Sequence, residues 1–177
     1  GGKITRDPSG EATGLLEDAA QDMAMNLLPP LTEPENLAAS GAALDAMRRQ
    51  GITSFLDAYT DPETMTAFST LQRQGKLTAR AHFAVLVDLA KGATVAELLT
   101  QQKRFDQGPT VVAPSMQVRH AKLFMDGVIA APAFTGAMLE PYFVDKGSAG
   151  KPDWQPGPGN GPESYFSRAA LTAALAE

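Results

Sequence analysis

Three strand-like runs alternate with helical patterns along this chain, and their order limits the possible folds more than any other feature. The runs are GITSFLDAY (51–59), LTARAHFAVLVDL (77–89) and VRHAKLFMDGVI (118–129), all rich in β-branched and aromatic residues. We interpret the first as a short buried strand that ends at Asp57, and the third as a buried strand with a lysine at its centre. Strands that alternate with helices over short connections form βαβ units around a parallel sheet. The sequence therefore predicts an α/β fold.

The helical patterns between the runs have their own boundary signals. Pro34 opens the first helix and Gly51 ends it, while Asp61 is the expected N-cap of the second and Gly75 follows its end. A third helix is predicted at about 94–105. The residues predicted to face inward are Leu37, Gly41, Leu44 and Met47 on the first helix, and Met65, Phe68 and Leu71 on the second.

The two ends of the chain differ from this βα pattern. Asp7-Pro8-Ser9-Gly10 is a turn signal between two short strand-like runs, so residues 1–20 are predicted to form a β-hairpin. Residues 21–142 hold the βα units, and the segment 143–163 is so rich in Gly and Pro that we expect an irregular loop. Residues 164–177 are predicted to be helical, which completes a single domain over 1–177.

Composition and charge exclude several classes of function. The 15 Lys and Arg residues and 20 Asp and Glu residues are scattered, and the net charge is -5, so no nucleic-acid partner is expected. No apolar run approaches the roughly 18 residues that cross a bilayer, so no membrane role is predicted. The absence of cysteine excludes disulfides and thiolate metal sites. The compartment stays open, with the cytoplasm favoured.

Several residues carry alternative interpretations when they are taken alone. From the residues alone, we interpret Lys122 as a lysine that extends to solvent from a strand end or pairs with an acid. His82 and His120 occur in no HxH or HExxH pattern and are predicted to be hydrogen-bonded core histidines. Asp126 either lines a pocket or caps a turn, and Asp57 is expected to make an N-cap or loop hydrogen bond.

Three parallel strands are too few to close a barrel, and an open three-stranded sheet leaves two exposed edges. The sequence also starts at Gly1 and stops inside an apolar periodic pattern, SRAALTAALAE, without a cap after it. We therefore expect the chain to be a fragment of a larger domain.

Four segments together resemble a known family. GGKITRDPSGEATGLLEDA, GITSFLDAY, AKLFMDG and MLEPYF, in this order and at these separations, resemble the middle of an amidohydrolase-superfamily metal-dependent hydrolase. The most similar group is amidohydrolase family 3, which includes the N-substituted formamide deformylases. The resemblance covers essentially the whole chain. It implies part of a (β/α)8 barrel, with the three runs as about strands 2 to 4, preceded by the hairpin as an insertion.

The resemblance also assigns a chemical role to the lysine of the third run. Lys122 matches the lysine that reacts with carbon dioxide in many amidohydrolases, forming a carbamate that bridges two divalent metal ions, with zinc favoured. Burial among Ala121, Leu123 and Phe124 would favour the neutral amine that carboxylation requires. The metals activate water, which attacks the carbonyl of an amide-like or formamide-like C–N bond. Lys122 is thus the candidate metal ligand and catalytic residue.

The other metal ligands of the family are not found in this sequence. Asp126 and Asp57 are further candidates, for substrate binding. We expect this chain alone to hold no metal and to be inactive, and its partners to be a small amide-like substrate and either further copies or the rest of the barrel. The alternative is a non-catalytic α/β binding or structural module, or a subunit that needs a partner chain.

Overall fold

The computed structural model describes residues 2–87, 94–108, 113–131 and 133–176. Its contacts divide the chain into two compact units, one of Gly1–Pro29 with Phe124–Ser167 and one of Pro30–Leu123 with Arg168–Glu177. No helix among the described residues combines the length and apolar character needed to cross a bilayer. The strands and helices in chain order are β1 Lys3–Arg6, β2 Ala12–Glu17, α1 Asp22–Met25, α2 Glu33–Arg49, β3 Ser54–Thr60, α3 Pro62–Arg73, β4 Arg80–Leu86, α4 Val95–Gln102, β5 Met116–Lys122, β6 Phe143–Asp145, β7 Trp154–Pro156 and α5 Arg168–Leu175.

The larger unit is built on a parallel sheet of three strands in the order β3-β4-β5. Helix α2 precedes this sheet in the chain, α3 joins β3 to β4, and α4 lies between β4 and β5 in sequence. This arrangement confirms the predicted α/β fold with a parallel sheet. Among the described residues, β3 and β5 are the edges of the sheet.

Helix α2 begins at Glu33, one residue before the predicted start, and α3 begins directly after its predicted N-cap. Thr32 and Glu35 form a capping box at the start of α2, with Thr32 N 2.8 Å from Glu35 Oε2. At the start of α3, Asp61 Oδ1 accepts a hydrogen bond from Thr64 N at 2.6 Å. Helix α4 begins after a second capping box and continues as a 3-10 turn to Phe105, which confirms the helix expected at about 94–105.

The core lies between one face of the sheet and the helices. The rings of Phe55, Phe68 and Phe83 contact one another, with centroids 5.4–6.0 Å apart. Phe83 on β4 and Met116 on β5 have no exposed surface, so these two strands contribute the centre of the core. The inward residues predicted for α3 are all buried. The buried cluster consists of Leu44, Met65, Phe68, Leu71, Leu77, Ala79, Ala81, Phe83, Val85, Phe105, Met116 and Val118.

Two strand predictions are wrong in their extent and burial. Strand β3 does not end at Asp57 but continues to Thr60, and its second face is open, with Leu56 51% exposed. Strand β5 ends at Lys122, so residues 123–129 are not part of it. Continuous apolar runs predict strands that are buried on both faces, but the helices here cover only one face of the sheet.

The other unit contains the predicted hairpin. Strands β1 and β2 pair antiparallel, and the turn is closed by a hydrogen bond from Gly10 N to Asp7 O at 3.0 Å. Gly10 has φ +93°, a conformation that glycine adopts without strain. The Asp7 carboxylate accepts from Ser9 Oγ and from the backbone of Ser9 and Glu11, and these bonds lower the pKa of Asp7. The prediction of a hairpin is confirmed.

The segment 143–163 is not wholly irregular as predicted. It contains the antiparallel ribbon of β6 and β7, in which Phe143 faces Pro156 and Asp145 faces Trp154. Asp145 Oδ1 accepts hydrogen bonds from Gly147 N and Asp153 N, both at 2.8 Å. These bonds to the backbone lower the pKa of Asp145 and hold the connection between the two strands. Glycine and proline content indicated a loop but not this pairing.

Candidate functional site

Lys122 is the last residue of β5, at the carboxyl end of a parallel strand. Its Cα is paired with that of Leu86 at the end of β4, and its carbonyl oxygen accepts from Val87 N at 2.8 Å. Parallel α/β folds bind ligands at the carboxyl ends of their strands. The position of Lys122 therefore suits a residue of a binding or catalytic site.

A one-residue irregularity in β5 decides which face of the sheet Lys122 occupies. Val118 is paired with Phe83, but the next residue of β4, Ala84, is paired with His120, so Arg119 is the extra residue of a bulge. A slip of one residue moves all following side chains to the opposite face. Lys122 therefore lies on the face away from the buried Val118, and the same holds for His120.

The surroundings of Lys122 differ from the expected apolar burial. Ala121 is exposed, Phe124 is 43% exposed, and Lys122 and Leu123 are half-buried. The predicted burial among these neighbours is wrong for the described chain, because the strand ends here and no helix covers this face.

Asp57 lies on the neighbouring edge strand, next to a second irregularity. The β3–β4 pairing shifts between Asp57 and Thr60, and Asp57 Oδ1 accepts a hydrogen bond from Tyr59 N at 3.1 Å. This is the local hydrogen bond that the sequence favoured for an aspartate at this position. The side chain is half-buried.

Asp126 belongs to the other unit, in the segment Phe124–Ser167. Its carboxylate Oδ2 accepts from Ala137 N at 2.9 Å, and the following residue, Gly127, donates from its N–H to Thr135 O at 3.1 Å. Asp126 belongs to the predicted strand-like run 118–129 but is not part of a strand, since β5 ends four residues earlier. The contact with Ala137 is what a turn-stabilising aspartate makes.

The two histidines were predicted to be hydrogen-bonded core residues, and the structure differs. His82 is half-buried on β4 and His120 is exposed on β5, and their ring centroids lie 5.9 Å apart at an interplanar angle of 72°. Within the described part of the chain, neither ring makes a hydrogen bond. Sequence reasoning missed that these two side chains come together, because the pairing of β4 with β5 determines it.

Arg119, the extra residue of the bulge, has a charged partner. Its Nε donates to Asp106 Oδ2 at 2.7 Å. Burial of the Asp106 side chain, which is 15% exposed, acts to raise its pKa, but hydrogen bonds from Arg119 and Gly108 N outweigh it and the pKa is lowered. The same hydrogen bond raises the pKa of Arg119. No sequence signal marked Arg119 as the bulge residue.

A metal site needs several ligands, and the described residues offer few in one place. Among residues 2–87, 94–108, 113–131 and 133–176, no three or more His, Asp or Glu side chains form a group that could hold a metal ion. Lys122 is thus a single candidate ligand, and the ligand set of a binuclear centre is not present in this part of the chain.

Comparison with known proteins identifies the family. The model of the amidohydrolase family, in its family 3 form, matches residues 1–177, the whole chain. The chain belongs to the amidohydrolase family. This confirms the resemblance on which the assignment of Lys122 is based, and it explains why strand, helix and hairpin signals occur in this order.

The chain is also similar to two longer proteins. This amidohydrolase chain is similar to YtcJ of Bacillus subtilis (strain 168), a protein named as a candidate amidohydrolase, with 28% identity over 155 residues, 85% of this chain and 27% of YtcJ. It is similar in fold to the crystal structure of an uncharacterized metal-dependent hydrolase from Pyrococcus horikoshii OT3, with a TM-score of 0.59 and 18% identity, covering 98% of this chain and 32% of that one. The chain thus spans about a quarter to a third of the length of these relatives.

Proposed function

We propose that this chain is the central part of a metal-dependent amidohydrolase that hydrolyses an amide-like or formamide-like C–N bond. In this proposal 1–177 is an incomplete (β/α)8 barrel domain, β3, β4 and β5 are about barrel strands 2 to 4, and residues 1–20 are a hairpin insertion. The open edges of β3 and β5 support it, because a barrel leaves no strand edge unpaired. The likeness in fold to a longer metal-dependent hydrolase also supports it.

The observation that carries the proposal is the position of Lys122 at the carboxyl end of β5, on the face of the sheet away from the helices. In a closed barrel this face points inward, and the carboxyl ends of the strands form the active-site face. Lys122 is paired with Leu86 on the side of the sheet opposite to Phe83 and Val118. A catalytic role gives a reason for a long cationic side chain at this position.

The chemistry proposed for Lys122 is carboxylation of its Nζ atom. The neutral amine attacks the carbon of CO₂ and an N–C bond forms. The electron pair of one C=O π bond moves to its oxygen, which becomes the second carboxylate oxygen, and a proton leaves the nitrogen for solvent. The product is a carbamate with a negative charge and two oxygen ligands. Desolvation of the ammonium favours the neutral amine, so packing of the remaining barrel strands around Lys122 would promote the reaction.

As a carbamate, Lys122 would help to hold divalent metal ions, zinc in our proposal, which when bound would supply Lewis-acid activation of water and of the substrate carbonyl. Lys122 fits this role by its position and by the acceptor chemistry of a carbamate. Among the described residues no three or more His, Asp or Glu side chains form a group that could hold a metal ion, so the further ligands of a binuclear centre would come from the rest of the enzyme. We therefore propose that the 177-residue chain alone is inactive and binds no metal through Lys122.

Asp57 and Asp126 are proposed to contact the small amide-like substrate. Asp57 lies near the carboxyl end of β3, paired with Phe83, and borders a groove between this strand and helices α2 and α3. Each carboxylate makes one backbone hydrogen bond, and its other oxygen has acceptor capacity left for a substrate N–H. Their local bonds would hold the two carboxylates in fixed positions.

The test is carboxylation of Lys122 in the complete protein. The protein is prepared with zinc and ¹³C-labelled bicarbonate, and ¹³C NMR, metal analysis and hydrolysis of N-substituted formamides are measured on the original protein and on Lys122→Gln. We expect a carbamate signal and about two metal ions per chain in the original protein, both lost with activity in the variant.

A matched control uses Lys76→Gln, because Lys76 lies in the loop between α3 and β4, at the opposite end of the sheet. It should keep the carbamate, the metal and the activity. Full metal content and hydrolysis in Lys122→Gln would refute the metal-site proposal. A complete protein without metal or hydrolysis would instead favour the non-catalytic module.

A further inference from the structure

The two histidines of this chain lie next to each other in the folded structure. The sequence contains two histidines and no cysteine, so any imidazole-based ligand site must use His82, His120 or both. They lie on different strands, yet their ring centroids are 5.9 Å apart. This proximity is independent of the carbamate proposed for Lys122.

The pairing of β4 with β5 explains how the rings meet. His82 is paired with Gln117, and His120 is paired with Ala84, two residues further along β4. Since residues two apart on a strand share a face, His82 and Ala84 lie on the same side, and His120 joins them there. The bulge at Arg119 is essential to this, because without it His120 would point to the helix-covered side with Val118.

The separation of the rings suits one shared metal ion. A metal–nitrogen bond of about 2.0–2.1 Å places the centroid of a bound imidazole about 3.2 Å from the ion, so two such rings lie about 5–6 Å apart. The observed 5.9 Å is at the wide end of this range. The interplanar angle of 72° keeps the two rings from stacking.

Hydrogen bonding of the two rings bears on whether they could hold an ion. Within the described residues neither imidazole makes a hydrogen bond, so no described residue competes for a nitrogen lone pair. His120 is exposed and His82 is half-buried, so an ion reaches the pair from solvent. A salt bridge to either ring is also absent from the described part of the chain.

We propose that His82 and His120 together bind one divalent first-row transition-metal ion, through one ring nitrogen each, with water in the remaining positions. Neutral imidazole is the side chain that Cu²⁺, Ni²⁺ and Zn²⁺ share as a ligand, whereas Mg²⁺ and Ca²⁺ prefer oxygen. The pair thus selects for transition metals. The proposal does not depend on the hydrolase function, because neither histidine is assigned to that reaction.

Ni²⁺ binding to the 177-residue chain tests the proposal. The Cε1–H signals of the two histidines are followed by NMR during a Ni²⁺ titration, and the stoichiometry and dissociation constant are measured by calorimetry. We expect both ring signals to broaden together as one ion binds per chain. His82→Gln and His120→Gln should each weaken binding at least about tenfold, since either change removes half of the chelate.

The double variant His82→Gln/His120→Gln is the control that measures any Ni²⁺ binding at the N-terminal amine. Broadening of one ring signal without the other in the unaltered chain would overturn the proposal, and this readout does not depend on the folding of a variant. Single variants that bind Ni²⁺ as tightly as the unaltered chain would also overturn it. Mg²⁺ at the same concentrations should leave both signals unchanged.

Discussion

The Nε atom of Arg119 lies 2.7 Å from Oδ2 of Asp106, and this ion pair joins the bulge of β5 to the segment after the 3-10 turn. Arg119 is the residue of β5 that has no opposite residue on β4. The side chain of this extra residue is held by its ion pair with Asp106. The pair therefore stabilises the local register from which the positions of His120 and Lys122 follow.

Deletion of Arg119 should be far more damaging than its substitution. Without the extra residue, His120 and Lys122 would turn towards the buried face beside Val118, where an unpaired charge is strongly destabilising. We expect the deletion to lower the free energy of unfolding by more than about 3 kcal/mol. Urea unfolding measures it, with Arg119→Gln as the control that keeps the bulge. Equal stability of the two variants would show that the register does not depend on the bulge.

The Arg119–Asp106 pair should make stability depend on pH on the acid side. Because the folded pKa of Asp106 is lowered, the folded state binds fewer protons than the unfolded state below about pH 4, and stability falls there with decreasing pH. The stability difference between the original chain and Arg119→Gln should therefore be full at neutral pH and shrink through this range. Arg48→Gln, which removes an exposed pair with Asp45, is the control. A difference that stays constant down to pH 2 would contradict the prediction.

The aromatic cluster should carry much of the stability of the larger unit. Phe83 has no exposed surface and contacts both Phe55 and Phe68, so Phe83→Ala leaves a cavity that the surrounding rings cannot fill. We expect a loss of about 3–5 kcal/mol in the free energy of unfolding. Leu56→Ala, on the open face of the sheet, should lose less than about 1 kcal/mol. If denaturant unfolding showed comparable losses for Phe83→Ala and Leu56→Ala, the open face of the sheet would be covered in solution.

Asp126 can be tested for a role beyond its turn. Asp126→Asn keeps an oxygen that accepts from Ala137 N, whereas Asp126→Ala removes it and should lower stability by about 1 kcal/mol. If Asp126 binds substrate, as proposed, the Asn variant of the complete protein should melt normally but lose at least about tenfold in kcat/KM. Normal kinetics in the Asn variant would leave Asp126 a structural residue. Asp57→Asn and Asp57→Ala make the same test at Asp57, whose Oδ1 accepts a hydrogen bond from Tyr59 N.

The open sheet edges predict self-association of the 177-residue chain. Strands β3 and β5 are the edges of the described sheet, and such edges pair with other chains when nothing covers them. We expect light scattering to detect species larger than the monomer, increasing with concentration. Addition of the remaining parts of the protein should reduce them. A monomer that melts cooperatively at all concentrations would argue against an incomplete barrel.

The order of α2, α3 and α4 could be predicted from the sequence, because each of these helices has a capping signal at its start. Thr32 with Glu35, Asp61 and Thr94 with Glu97 supply hydrogen bonds to the first turns of their own helices. These signals act within a few residues, so no knowledge of the rest of the fold is needed to interpret them. The turn at Gly10 was predictable for the same reason.

Only the tertiary structure decided where the candidate functional groups lie. The alternation of Met116, Val118, His120 and Lys122 would place all four on one face, but the bulge at Arg119 divides them into a buried pair and an open pair. A bulge is a property of two paired strands, so neither strand alone encodes it in a pattern that periodicity detects. The meeting of His82 with His120 has the same origin. Their proximity follows from the register of β4 against β5, which depends on packing across the whole core.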